Sequence, residues 1–337
     1  MIALQFITYL VFTSTIANAQ DAVTLSATRH AQLGYSWPSM TLHAHVDGHL
    51  NARLSCSGRT YSAAQSIAPG DAIAIVFDEL PLGDHRCTGS LTLKAADGTS
   101  GEMPLSVNIG VLKPLSLTVE PQELDLENHT MRVRSSRPLT HLKVEVTGAS
   151  GSSIGMGETP VANMDGADLQ WTQSPGEAIK LLVTGVDMYN LPGKLELSPW
   201  SYNIPHEDVV FATGKSAVSL EEEPKMETAW KELQAVVQKY GDIIEVRLYI
   251  GGYTDTVGPS SSNETLSKNR ARAIASWFRR RGFSGPVFYQ GFGESGLAVP
   301  TADNVNNAQN RRAMYILAAQ TPLPSSFIPR SNWIPLQ

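Results

Sequence analysis

Two side chains of opposite charge stand out by position: Asp255, in the run Tyr253-Thr254-Asp255-Thr256, and Arg270, in Asn269-Arg270-Ala271-Arg272. A carboxylate near a guanidinium suits two kinds of chemistry. It can form an ion pair that pins one element to another. It can also receive a zwitterion, with the ligand's ammonium on Asp255 and its carboxylate on Arg270, the latter bidentate. The elements that carry the pair can be read around it. Ile244, Val246, Leu248 and Ile250 alternate with Glu245, Arg247 and Tyr249, the period of a half-buried strand. Gly251 and Gly252 weaken that strand, and Asp255 falls just beyond it. Pro259 and the serines 260–262 make a loop, after which Ser262 or Asn263 can cap a helix. In that helix Leu266, Ala273, Ile274 and Trp277 share one stripe, with Phe278 at its margin. Arg270 falls within the stripe. Arg272 falls on the far side with Lys268 and Arg279, as a solvated charge. A buried guanidinium without an anion is costly, so Arg270 is expected to snorkel out or to meet one. The C-terminal end of a strand is also where α/β sheets place ligands. Residue types alone leave the structural pair and the ligand cleft both open.

The flanking pattern extends this unit. DVVFATG predicts a first strand, and Ser219 with Glu222 forms a capping-box signature ahead of Pro224. Met226, Trp230, Leu233, Val237 and Tyr240 keep helical spacing up to Gly241. PVFYQG predicts a third strand running into GFGE, residues 301–310 a polar loop, and residues 311–319 a last strand with Met314, Ile316 and Ala318 on one side. The order β-α-β-α-β-β is that of a two-layer α/β sandwich. The segment ATGKS is not a phosphate loop, because position 209, where the first glycine belongs, is Val.

The segments GYTDTVG, NETLSKNRARAIASWF, GFGE and NRRAMYI, in this order and spacing, closely resemble the OmpA-like C-terminal domain, a family that includes peptidoglycan-associated lipoproteins and the periplasmic part of flagellar stators. The resemblance spans residues 205–320, about a third of the chain. It implies non-covalent binding of peptidoglycan, with the aspartate of T-D and the arginine of L-S-x-x-R-A holding the diaminopimelate of the stem peptide. Those residues are Asp255 and Arg270, the pair that the helix phase had singled out. The implied site also takes in Asn263 and Thr256, with Arg311, Arg312 and Gly258 in support. The serines of the 259–262 loop and the long polar loop after Gly293 depart from the family pattern and bear on the outer wall of the site.

The rest of the chain frames this unit. Its 337 residues suffice for two or three domains. Net charge is −6 and charged residues make up only 17%, which argues against nucleic acid as a partner and for a β-rich exported protein. Residues 1–19 read as a secretory signal ending in Ala17-Asn18-Ala19, although no Lys or Arg precedes the apolar core. No cysteine follows that core, so a lipoprotein anchor is not expected. Residues 20–111 carry short strands (VTLSA, SMTLHAHV, ARLSC, AIAIVF, HRCTGSLTLKA, MPLSVNIG) split by turn signals such as Asp47-Gly48 and Pro69-Gly70. They predict an antiparallel, immunoglobulin-like β-sandwich. Residues 112–203 (LSLTVEP, TMRVRS, HLKVEVTG, DLQWTQ, IKLLVTGVD, KLELSPWSY) predict a second. The two cysteines, Cys56 and Cys87, lie in apparent strands of the first domain, and export makes a disulfide between them the expected state. His43, His45 and His49 read as a solvated strand edge and not as a zinc pair. Residues 321–337, with four prolines and no periodicity, read as an extended or mobile tail.

These readings favour a non-catalytic, wall-binding protein of the periplasm or cell envelope, with no cofactor and no metal. Its N-terminal domains would serve as spacers or as modules for an outer-membrane or other envelope protein. The alternative is an outer-membrane, porin-like β-barrel over residues 20–203 with a periplasmic wall anchor. Short strands with few aromatics argue against it. An enzyme is the least favoured class: no nucleophile elbow or His-Glu-x-x-His helix occurs, and Asp255 with Glu294 has no supporting substrate geometry.

Overall fold

The structure is a computed structural model, and it describes residues 22–209, 211, 215–326, 328–330 and 332–337. The signal segment expected over residues 1–19 lies outside the described residues.

The first unit contains Val23–Thr28 (β1), His30–Gln32 (β2), Ser39–Ala44 (β3), Gly48–Cys56 (β4), Arg59–Ile67 (β5), Ala72–Val76 (β6), Gly83–Ala95 (β7) and Ser100–Leu112 (β8). They form two open sheets, β1-β3-β6 and β2-β8-β7-β4-β5. Leu42, Leu50, Leu54, Phe77, Leu91 and Ile109 are buried in one core between them. Strand β4 shows the cause: Leu50, Ala52, Leu54 and Cys56 alternate inward while their neighbours face water. All six expected strands are present. The sequence reading omits β2, which is only three residues long, and β5, whose buried residues are only Tyr61 and Ile67, too sparse for a period of two. Cys56 and Cys87 are bridged, with Cα atoms 4.4 Å apart, the spacing of directly opposed residues on neighbouring strands. The bridge joins β4 to β7 within one sheet and does not cross between sheets, which departs from the immunoglobulin arrangement. His43 and His45 bond singly to Ser26 and Thr24 on β1.

The second unit contains Leu117–Thr118 (β9), Leu124–Asp125 (β10), Thr130–Gly148 (β11), Ser153–Gln170 (β12), Thr172–Gln173 (β13), Ala178–Asp187 (β14) and Pro192–Leu197 (β15). Two sandwiched sheets are expected here, whereas the strands form one sheet, β13-β12-β11-β14-β15, with β9 and β10 also on β11. The expected strands TMRVRS and HLKVEVTG are the two halves of β11, and register shifts separate them between Arg134 and His141. Such irregularities bend a strand. The bend brings Met131 and Val133 from one half, and Leu142, Val144 and Val146 from the other, into a single core. The open orders and inward apolar faces of both units replace the alternative of one eight-stranded barrel over residues 20–203.

The third unit contains Ser201–Asn203 (β16), Glu223–Tyr240 (α1), Arg247–Gly252 (β17), Ser260–Arg281 (α2), Val287–Gly291 (β18), Ala313–Ala318 (β19) and Ile334–Pro335 (β20), with sheet order β16-β19-β17-β18-β20. Strand β17 runs parallel to β18 through the α2 crossover, and the other pairs are antiparallel. The two helices cover one face, where Met226, Trp230, Leu233, Ile274 and Phe278 meet Leu248, Ile250, Val287 and Leu317. Two expectations are corrected. The first strand is Ser201–Asn203 and not DVVFATG, whose described residues take no strand; the sheet therefore begins before residue 204. The tail is also no loose end. Its strand β20 pairs with β18, and Ile328 and Trp333 pack on the sheet face opposite the helices with Tyr249 and Ile316. Among the described residues no helix is long and apolar enough to cross a membrane.

Candidate ligand-binding site

The site lies where β17 and β18 end and α2 begins. Two glycines set its depth. A Cβ at Gly252 would lie 2.4 Å from the Ser267 carbonyl oxygen, and one at Gly291 would lie 2.2 Å from the Lys268 backbone nitrogen. Only residues without a Cβ let α2 lie this close to the strands. Ser267, fully buried, then accepts a hydrogen bond from the Gly293 N–H at 2.9 Å and fixes the β18 end to the helix. Gly258 takes a left-handed φ of +88° and turns the chain toward α2.

Helix α2 starts at Ser260, earlier than a cap at Ser262 or Asn263 would place it. Asn263 is therefore inside the first turn and buried. Its amide donates to the carbonyls of Asp255 (3.3 Å) and Val257 (3.2 Å) and to the Glu294 carboxylate (3.0 Å). It ties three segments together and does not cap. The helix stripe is also rotated from the expected phase. Its buried residues are Asn263, Ser267, Ala271, Ile274, Ala275, Trp277 and Phe278: Ile274, Trp277 and Phe278 lie in the stripe as expected, whereas Leu266 and Ala273 are only half-buried, Arg270 sits at the margin, half-buried, and Arg272 is exposed as expected.

Asp255 is 7% exposed, and its carboxylate is held by Arg311, whose Nη1 donates to Oδ2 at 2.6 Å. The Asn307 N–H reaches the same oxygen at 3.4 Å. Among the described residues Oδ1 receives only the Val257 N–H, also at 3.4 Å. The structural Asp255–Arg270 ion pair is thus not formed: Arg311 has taken that place. Arg270 donates from Nε to the Lys215 carbonyl at 3.2 Å and lies with Cζ 5.0 Å over the Phe211 ring. Burial lowers its pKa and the charge of Arg311 lowers it further, while Asp255 opposes both. Arg270 thus feels the charges of both Asp255 and Arg311 while pairing with neither.

The other expected residues hold the surroundings. The Thr256 hydroxyl donates to the Ala302 carbonyl at 2.7 Å and accepts from the Val305 N–H at 3.0 Å, so it fastens the 301–310 loop over the site. Arg312 stands with Cζ 3.9 Å over the Tyr253 ring and donates to the Gly296 carbonyl at 2.8 Å; burial lowers its pKa. Strand β19 begins at Ala313, so both arginines precede it. Sequence reasoning did not anticipate Phe211, Lys215 or Asn307. Phe211 lies in the stretch read as a strand, Lys215 follows it in the segment set aside as no phosphate loop, and Asn307 lies in a loop without periodicity.

Residues 210–311 match the model of the OmpA family. The chain is 31% identical over 127 residues to the photosystem I P700 chlorophyll a apoprotein A2 of Gloeobacter violaceus, covering 36% of this chain and 14% of that one. It is 30% identical over 100 residues to outer membrane protein A of Shimwellia blattae, covering 29% of this chain and 39% of that one. Both alignments span less than half of the relative's length. Among solved structures, the peptidoglycan-associated lipoprotein from Burkholderia pseudomallei aligns with a TM-score of 0.27 at 22% identity, over 33% of this chain and 88% of that one.

Proposed function

Because residues 210–311 carry an OmpA-family domain, we propose that the chain is a non-catalytic peptidoglycan-binding protein of the cell envelope. The stem-peptide diaminopimelate is its ligand, and residues 22–203 serve as spacer or partner-binding modules. One observation carries this reading: Arg270 is a half-buried guanidinium that, among the described residues, has a carbonyl and a ring for company but makes no ion pair. A ligand carboxylate would supply the missing anion, and a guanidinium fork accepts a carboxylate bidentately. Asp255 presents Oδ1, engaged among the described residues only by a long backbone contact, to the ligand's ammonium. A diaminopimelate end bears both groups on one carbon, which suits a carboxylate and a guanidinium close enough to influence one another. No proton or bond need move, so recognition is complete without chemistry. The carboxylates of Asp255 and Glu294 are occupied by Arg311 and Asn263, in keeping with a holding role.

The test is sedimentation of the purified chain with insoluble peptidoglycan of the diaminopimelate type beside the lysine type. Co-sedimentation with the first and not the second is expected, because lysine offers an ammonium but no second carboxylate. Equal retention on both, or on neither, would refute the reading. Arg272→Ala is the internal control. Its side chain is exposed on the far face of α2, so stability should change by less than about 0.5 kcal/mol and retention on the wall should be unchanged.

A further inference from the structure

The Pro-rich tail returns to the third unit at a specific place. Strand β20 pairs with the outer edge of β18, with Phe288 opposite Pro335 and Tyr289 opposite Ile334, and the Leu336 N–H donates to the Val287 carbonyl at 2.8 Å. This pairing delivers Trp333 to the sheet face that the helices leave open. The indole packs edge-on against Tyr249, with ring centroids 5.2 Å apart, and against Phe292, 5.6 Å apart.

Phe292 is not an ordinary face residue. It is the first residue after β18, on the loop that carries Gly293 and Glu294. Its ring stacks on Tyr253 at 5.1 Å, and the Tyr253 ring also meets Arg312, with Cζ at 3.9 Å. A continuous stack therefore runs Trp333–Phe292–Tyr253–Arg312, from the tail to the residue beside Arg311. Backbone bonds join the same segments. The Phe292 N–H donates to the Gly252 carbonyl, the Thr254 N–H to the Gly293 carbonyl, and the Tyr253 N–H to the Arg312 carbonyl. The three chain segments that present Asp255, Glu294 and Arg311 thus meet at the rings of Tyr253 and Phe292, and Trp333 packs edge-on against Phe292. Without it, the buried Phe292 ring would lose that edge contact. Aromatic pairs of this geometry stabilise beyond the area they bury.

We propose that Trp333 is a positioning residue, which the tail strand clamps onto Phe292 so that the loops bearing Asp255 and Arg311 keep their binding geometry. The proposal rests on the wall-binding reading for its effect on affinity, but its structural half can be tested without the wall. Amide hydrogen exchange is measured on the full chain and on Trp333→Ala and Trp333→Phe. The same proteins are then titrated against insoluble diaminopimelate-type peptidoglycan. For Trp333→Ala, faster exchange is expected at Thr254, Phe292 and Asn304, with the amides of α1 and of the first unit unchanged. Wall affinity should fall about three- to tenfold, and Trp333→Phe should restore most of both. Exchange that quickens only in β18 and the tail would overturn the proposal. So would quickened loops with unaltered wall affinity, or a uniform rise across the third unit that the Phe variant does not reverse. If the unsubstituted chain does not bind the wall, the functional reading fails, and the exchange pattern alone decides whether the clamp exists.

Discussion

Arg270→Ala is expected to weaken retention on diaminopimelate-type wall about tenfold to a hundredfold while leaving the protein folded. The magnitude follows from what the guanidinium would lose: a charge-assisted, two-pronged hydrogen bond to a carboxylate in a half-buried cleft, about 1–3 kcal/mol. Folding should survive because in the free protein Arg270 makes one hydrogen bond to the Lys215 carbonyl and one ring contact with Phe211, and no ion pair among the described residues. Arg270→Lys should fall between, since it keeps the charge but loses the fork. Asp255→Ala should weaken wall binding by a similar factor and also lower stability. Its removal leaves Arg311 without its carboxylate and the Asn307 N–H without an acceptor. Paired binding and thermal-unfolding curves separate the two variants: Arg270→Ala loses affinity alone, and Asp255→Ala loses both.

Gly291→Ala should be the most damaging small substitution in the third unit. Its Cβ would stand 2.2 Å from the Lys268 nitrogen and 2.5 Å from the Lys268 Cα, both backbone atoms of α2 that cannot rotate aside. The helix must shift as a whole, and the Ser267–Gly293 bond, the tie nearest to that contact, moves with it. A loss of about 2–4 kcal/mol is expected, at the upper end of overpacking costs. Urea unfolding followed in the third unit measures it. The same variant should lose wall binding through displacement of α2, although Gly291 touches no ligand group in this account. Gly282→Ala is the natural comparison. It sits at the left-handed C-cap of α2 with open space around it, so its cost is confined to a strained φ, about 1 kcal/mol.

The third unit was largely legible because its elements obey their periods. The alternation in β17, the stripe of α1 and the strand before GFGE each say where they lie. The resemblance then assigned roles to Asp255 and Arg270 that periodicity left open. What the sequence hid has physical causes. The phase of α2 was misjudged because buried Ser267 and Asn263 are polar and do not register in an apolar stripe. The partner of Asp255 was misassigned because Arg311 is distant in sequence and reaches the site only through a loop without a pattern. Strand β12 was half missed: SSIGMGETPVANMDG is rich in Gly and Ser, and its pairing with β11 is imposed by the neighbouring strand and not by its own propensity. The tail has only two residues in a strand and owes its place to Trp333, one aromatic anchor that no period announces.

The central claim is that Asp255 and Arg270 together grip a zwitterion, and displacement of the wall-bound chain by small molecules tests it most directly. The full chain is sedimented with diaminopimelate-type peptidoglycan in the presence of free diaminopimelate, free lysine or stem-free glycan strands. Release by diaminopimelate at concentrations where lysine and glycan have no effect is the predicted result. Release by glycan strands with no effect of diaminopimelate would contradict it, and would move recognition from the Asp255–Arg270 cleft to the sugar backbone of the wall.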